Sequence, residues 1–419
     1  KKMSIIDFLL LNSEGNYGDL KSVAEYSDID IENKDFSTDD NLIKVFNTAD
    51  INKIWKNLIK SSHCSVIVKL IRKKSGCDII AGHDTWSSYS ELVRTLKTYE
   101  FDFDSKSKQK DNKKSLLQEK KKISFSSYPG VLFSGDDFYV LDNGVTLLQT
   151  TLNVIDTFKY KNLVDFEEYV PEFMRLMTTN YLSKNGENWI QEFKDYDNHL
   201  YITQWIVIDY QALEELNSKL RNKSKDETED DIYNKAEKIV FVLDEVPNKI
   251  TYQDITQKLF ADEFFGSFNV PYFDSSFEEL GYSRFKNMLN DDNPDFNPRN
   301  RILKQLQKGI KDVSSFEKAI SYNGYKKENS EVVDDPSKFD ASNGIMARYD
   351  ISGELNGGID YKVVDSKMVK QLEFKAKAGP VETSELKCFE ITDGTPGKEF
   401  LEGIPHHFSF KAIVFSDKE

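Results

Sequence analysis

Three cysteines in 419 residues are few, and the number is odd. Such a count does not build a disulfide framework and leaves at least one free thiol among Cys64, Cys77 and Cys388. Their spacing matches no zinc pattern, and the adjacent His406-His407 pair has no Cys or carboxylate cluster at ligand spacing, so neither a metal nor a cofactor is expected. Positive charge is also short. Lys and Arg number 56 against 71 Asp and Glu, a formal net charge of −15 that offers no basic excess to displace counterions, which argues against a nucleic-acid partner. No run of about 18 or more apolar residues appears, so no transmembrane helix is expected in the segment. The stretch Ile5 to Leu11 is too short for a secretory signal, is interrupted by Asp7 and precedes Asn12-Ser13-Glu14 rather than a small-residue cleavage site. It is expected to be a buried strand.

What is present suits a globular protein. With 39% hydrophobic and 13% aromatic residues the chain can bury a large core, and its length allows one large domain or two to three small ones. The most informative stretch begins at His63-Cys64. Cys64, Val66, Val68 and Leu70 alternate with Ser65 and Lys69, the period of a strand, so the thiol is expected at a strand's first residue. Arg72 to Gly76 reads as a hairpin turn and Cys77 to His83 as the returning strand, which brings His83 and Asp84 back towards the level of Cys64. By itself a strand cysteine is usually a small buried hydrophobe, so spacing alone does not make Cys64 catalytic.

Along the rest of the chain, Ile51 to Lys60 has the apolar spacing of an amphipathic helix and ends just before Ser61-Ser62-His63. Tyr89, Leu92, Val93, Leu96 and Tyr99 also fall at helical spacing and predict a helix. Residues 101–122 and 217–237 read as charged, solvated inserts. The first has a basic run that needs no anionic partner to explain it. Strands are expected over Ile123–Pro129, Asp137–Leu152 with a turn at Asp142-Asn143-Gly144, Tyr201–Tyr210, Lys238–Leu243 and a closing edge at Phe408–Phe415. Helices are expected over residues 166–182, Trp189–Phe193 and Arg301–Phe316. Sheet and helix alternate without tidy βαβ units, which points to an α+β fold.

Cys64-Ser65 before an apolar strand, then His83-Asp84-Thr85-Trp86, then Ser126-Ser127-Tyr128-Pro129-Gly130 resemble the phospholipase B-like family, lysosomal proteins of the N-terminal-nucleophile hydrolase superfamily. Asp136-Asp137-Phe138-Tyr139, Thr150-Thr151, Gln204-Trp205 with Asp209-Tyr210, Ala347-Arg348-Tyr349-Asp350 and Gly357 to Lys362 follow in the family's order. Asp7-Phe8-Leu9-Leu10 and Gly18-Asp19-Leu20 resemble the end of the family's smaller chain. The resemblance implies a four-layer αββα sandwich, with residues 1–63 as the end of the N-terminal chain and 64–419 as the catalytic domain. It implies self-cleavage between His63 and Cys64, two chains that stay associated, and Cys64 as a nucleophile assisted by its own α-amine. His83 and Trp86 would then shape the pocket, Asp84 would hold the ammonium, Thr150 would end a strand in the pocket and Arg348 would fix a carboxylate or head group.

Where the family has an Asn pair before Gln204-Trp205, this chain has Ile202-Thr203, so an oxyanion donor would have to come from the shorter Thr203. The expected substrates are acyl esters of phospholipids or lysophospholipids, met with peripheral membrane contact. An amidase acting on N-acyl amides or peptides and a non-catalytic lipid-binding lysosomal glycoprotein are the alternatives. The implied location is lysosomal or secreted, where the sequon Asn222-Lys223-Ser224 would carry a glycan.

Overall fold

The computed structural model describes residues 3–13, 19–21, 23, 64–74, 76–102, 120–155, 157–160, 169–195, 199–247, 249–285, 298–323, 344–383, 386–395 and 397–417. The helix expected over 51–60, the linker with His63 and most of the 101–122 insert lie outside these residues.

Side-chain alternation along two paired strands decides the layering. β1 (Cys64–Lys73) and β2 (Gly76–Ser88) form the expected hairpin, in a register that sets Cys64 opposite Thr85 and Val66 opposite His83. One face carries Val66, Val68, Leu70, Cys77, Ile79 and Ala81, and the other carries Ile67 and Ile80. Each face buries apolar surface against a different layer. The hairpin sits in a six-stranded sheet of order β10-β1-β2-β11-β12-β15, with β10 at Phe264–Ser267, β11 at Asn356–Val364, β12 at Phe374–Ala378 and β15 at Ile413–Phe415. A seven-stranded antiparallel sheet runs in chain order through β3 (Thr95–Phe101), β4 (Lys121–Ser127), β5 (Phe138–Leu141), β6 (Val145–Thr151), β7 (Thr203–Asp209), β8 (Val240–Val246) and β9 (Lys249–Asp254).

The first face of the hairpin packs on Phe138, Val140, Leu148, Ile206, Ile208, Val240 and Val242, so the two sheets meet in one apolar core. On the outer side of the seven-stranded sheet, Tyr139, Leu147, Trp205 and Val207 meet Phe173, Leu176, Trp189 and Phe193. Those four come from helices Glu172–Leu182 and Gly186–Asp195. On the outer side of the six-stranded sheet, Ile67, Ile80, Tyr361 and Val363 meet Ile302, Leu303, Phe316 and Ile320, from helices Pro298–Leu306 and Val313–Ile320. The result is the α+β, αββα sandwich expected. Among the described residues no helix is long and apolar enough to cross a membrane.

Several expectations give way. Ile5–Asn12 is a helix, not a buried strand, because Ser4 and Asp7 form a capping box that satisfies its first amides, and Ile5, Ile6 and Leu10 are exposed. The helical spacing of 89–99 is coincidental: a 3₁₀ turn at Tyr89–Glu91 leads into β3, whose Thr and aromatic residues pair with β4. The supposed insert 217–237 is ordered. Helix Tyr210–Arg221 runs into it, helix Glu229–Tyr233 follows, and Leu220, Ile232, Tyr233 and Ala236 reach the core between the sheets. Its few apolar residues are all used, which charge content conceals. The helix expected over Arg301–Phe316 is two, with Asp312 capping the second. Phe408–Phe415 likewise divides between β14 (His407–Phe408), paired with β13 (Phe389–Glu390), and β15.

The N-terminal segment is docked onto the sandwich. Asn12 accepts from the Leu132 amide at 2.6 Å, and Asp19 accepts from the Tyr160 hydroxyl at 2.5 Å and the Tyr201 amide at 2.7 Å.

Candidate active site

Cys64 is the first residue of β1, and alternation turns its side chain to the face it shares with Val66 and Val68, towards the other sheet. Opposite it on β2 is Thr85, and opposite Thr85 on β11 is Asp360, brought there by a bulge between Gly358 and Asp360. Two residues further, Lys362 points the same way. Its ammonium donates to Thr85 Oγ1 at 2.5 Å, Asp360 Oδ1 at 2.8 Å and Asp136 Oδ2 at 2.8 Å. Arg94 bridges the same two carboxylates, and Ser126 and Ser134 donate to Asp136. Two cations and two carboxylates thus neutralise one another in a buried network at one end of the sheet interface. Asp136 and Asp360 are held below the usual carboxylate range because Arg94 and Lys362 outweigh their burial.

The thiol itself is only 4% exposed. Burial pushes its pKa well up, and Lys362 with the Trp86 amide offsets this only in part. It is therefore a thiol, not a thiolate.

The opposite face of the hairpin holds the main chain of Cys64 in place. The Ser65 amide donates to Asp84 Oδ1 at 2.9 Å, and both Ser65 Oγ and Trp86 Nε1 donate to the Ile345 carbonyl, at 2.9 and 3.1 Å. Arg299 is the centre of this side. Its guanidinium donates to the Cys64 carbonyl at 2.7 Å, Ser65 Oγ at 3.2 Å, and the Phe268 carbonyl and Asn269 Oδ1 at 2.9 Å each. It also lies 4.4 Å from the centre of the Trp86 ring. Burial lowers its pKa to about 10 and raises that of Asp84, with each moderating the other. Among the described residues, the buried Asp84 Oδ2 has no hydrogen-bond partner.

His83 is fully buried on the inter-sheet face, where Nε2 donates to the Gln149 carbonyl of the other sheet at 2.9 Å. Burial first, then Lys362, lowers its pKa to about 3, so the ring is neutral and Nδ1 is an acceptor without a partner among the described residues. The thiol and the imidazole are thus near neighbours on one face, but Asp84 is on the other, and the carboxylates on the thiol's side are Asp136 and Asp360. Thr150 also faces the interface and shares a 2.6 Å hydrogen bond with Ser267 of β10, which donates to Gln204.

Two candidates fall elsewhere. Thr203 takes the helix-facing side of β7 with Trp205 and Val207, because it is an odd number of residues from the inward Gln204 and Ile206. Its hydroxyl is not aimed at the thiol. Arg348 pairs in bidentate fashion with Asp350 at 2.8 Å and donates to the Val381 and Lys387 carbonyls, and Tyr89 donates to Asp350 at 2.7 Å. Among the described residues these contacts do not include the network around Cys64. Asn222 is exposed at the end of helix Tyr210–Arg221.

Sequence patterns do not single out Arg299, Arg94 or the site role of Asp136, Asp360 and Lys362. The last three stand inside quoted motifs, and Arg299 follows Asn297-Pro298 at a helix start; these are local signals, but their convergence is not local. Sequence spacing sets no Cys or carboxylate cluster beside His406-His407, whereas the β13-β14 ribbon brings Cys388 and Glu390 beside His407 in space.

Comparison with known proteins decides the family. The phospholipase B family profile matches residues 1–415. The chain belongs to the phospholipase B family. It is 27% identical over 430 residues to phospholipase B-like protein B of Dictyostelium discoideum, covering 100% of this chain and 65% of that protein. Against protein A of the same organism it is 29% identical over 342 residues, 78% of this chain and 53% of that one. The chain therefore spans from about half to about two thirds of these relatives' length. Among solved structures, a mutant of conjugated bile acid hydrolase from Clostridium perfringens overlaps 76% of this chain and 90% of its own, at 9% identity and a TM-score of 0.39.

Proposed function

We propose that this phospholipase B family member is a hydrolase of acyl bonds whose nucleophile is Cys64, made N-terminal by self-cleavage after His63. The observation that carries the reading is the position of Cys64. It heads a central strand with its thiol buried between the sheets and its main chain clamped by Arg299, and Asp84 accepts from the next amide, that of Ser65, with its other carboxylate oxygen unpaired among the described residues.

In the cleavage step the thiol attacks the His63 carbonyl carbon, the His63-Cys64 C–N bond breaks, and the acyl group passes to sulfur as the freed amine takes a proton. Water then hydrolyses the thioester, leaving the His63 carboxylate and a Cys64 α-amine. That amine supplies a base for the buried thiol, because its reference pKa is about 8, whereas the unassisted thiol is held far above neutrality. Asp84 Oδ2 gains the ammonium as its missing partner.

In turnover the amine takes the Sγ proton, sulfur attacks the ester carbonyl carbon, and the departing alkoxide receives that proton. Water then attacks the thioester, releases the fatty acid and restores the thiol. Neutral His83 acts as a hydrogen-bonding wall, not as the base. The substrates proposed are acyl esters of phospholipids or lysophospholipids, in a lysosomal or secreted setting, with Asn222 glycosylated and the two cleaved chains associated.

Intact mass and N-terminal sequencing of the full-length protein at acidic and neutral pH, beside Cys64→Ala, test this reading. The expected result is a chain beginning at Cys64 that the variant lacks, followed by fatty-acid release from phospholipid. An uncut chain in every condition overturns self-processing. Turnover confined to N-acyl amides replaces the ester reading, and lipid binding without turnover in either form supports a binding protein instead.

A further inference from the structure

The β13-β14 ribbon belongs to neither large sheet. Phe389 and Phe408, opposite each other, turn inward to pack with Tyr89, Leu401 and Ile404. By alternation Cys388 and Glu390 take the other face of one strand, and the register sets His407 opposite Glu390. A thiol, a carboxylate and an imidazole, from positions 19 residues apart, converge at the surface.

Their donor atoms form a small triangle. Glu390 Oε1 is 3.0 Å from His407 Nδ1, Cys388 Sγ is 3.7 Å from Nδ1, and Sγ is 3.9 Å from Oε1. A tetrahedral zinc ion with bonds of about 2.3 Å to sulfur and about 2.0 Å to nitrogen and oxygen requires donors about 3.3–3.5 Å apart. The observed edges bracket that spacing, but Sγ is also 3.7 Å from Nε2 and so faces the ring, and coordination through Nδ1 requires the imidazole to turn its edge towards the sulfur. An ordinary surface ion pair accounts for the Glu390–His407 contact but not for a thiol turned to the same point.

We propose that Cys388, Glu390 and His407 bind a divalent transition-metal cation of the zinc type, with water in the fourth position. The side chains of His407 and Glu390 are 61% and 57% exposed, so water reaches that position. Charge favours a dication here. A bound dication coordinates the Cys388 thiolate outright, and the Glu390 carboxylate offsets its charge. The ion closes the excursion between β13 and β14 and clips the ribbon, whose base at Lys387 accepts from Arg348. It is a structural clip, independent of the chemistry at Cys64.

Cobalt(II) titration of the full-length protein in a Cys64→Ala background tests the site, because a cobalt–thiolate bond gives near-ultraviolet charge-transfer absorption. The expected result is that band saturating at one ion per chain, displaced by zinc. Cys388→Ser abolishes it, and His407→Gln weakens binding by more than about tenfold, since even outer-shell partners of a metal commonly contribute that much. Far-ultraviolet circular dichroism of each variant establishes that it is folded. A band that survives Cys388→Ser, or no saturable band, overturns the proposal; binding without thiolate absorption means an adventitious ion only.

Discussion

At Cys64 the electrostatics of single residues already constrain the chemistry. His83, expected to shape the pocket beside Cys64, has a pKa of about 3, which means that the folded protein resists protonating it. The unfolded chain binds that proton near the ordinary value of 6.5. The His83 contribution to stability is therefore complete above pH 6.5 and is lost as pH falls towards 3, at about 1.4 kcal/mol per pH unit. His83→Gln keeps a donor for the Gln149 carbonyl and removes this titration. Urea unfolding between pH 7 and 4 is expected to show a shallower acid limb in the variant than in the wild type. Arg299 makes a second prediction. Lysine keeps its charge but cannot reach four acceptors, so Arg299→Lys is expected to slow self-cleavage by about a hundredfold through misplacement of the Cys64 carbonyl, and to lower the unfolding midpoint because buried acceptors lose their donors. Cleavage time courses at fixed pH read this directly, and an unchanged rate removes Arg299 from the positioning machinery.

Elements meet closely where the hairpin is covered by helix. A Cβ added at Gly82 of β2 would lie 2.6 Å from the Phe316 ring, 2.8 Å from Ile320 Cδ1 and 2.9 Å from the Lys362 carbonyl. The last is backbone and cannot yield as a side chain can. Gly82→Ala is expected to cost about 1–3 kcal/mol, read from the shift of the urea midpoint. Gly357 at φ +137° and Gly358 permit a similar approach of β11 to Ala347 and Met346. Element type was readable wherever apolar spacing was strong, as in β1, β2 and β7. It was misread where a local device overrode spacing, as the Ser4–Asp7 box did for the first helix, or where a few apolar residues sufficed, as in helix Glu229–Tyr233.

Across the described residues the sheets are joined by a broad apolar interface, by the His83–Gln149 and Thr150–Ser267 hydrogen bonds and, at the Cys64 end, by the Arg94–Asp136–Lys362–Asp360 network. Lys362→Met leaves two buried carboxylates facing one guanidinium, so a loss of about 3–5 kcal/mol is expected. Lys362→Met with Asp136→Leu is expected to recover much of it, and a double-mutant cycle by urea unfolding measures the coupling. The strand–turn–strand pattern from Cys64 to His83, the exclusion of a membrane-spanning run and the ordered motifs of the family were all determined by the sequence itself, because each depends on neighbours within a few residues or on residue order. Tertiary structure alone decided which face of each strand looks inward, and so separated Thr203 from the thiol and set Asp84 behind it. It alone brought Arg299 to a carbonyl 235 residues away, Lys362 to Asp136, and His407 to Cys388. Strand periodicity specifies two faces but not which one meets the other sheet; that choice belongs to the packing of distant segments, where the burial of apolar surface is settled for all layers at once.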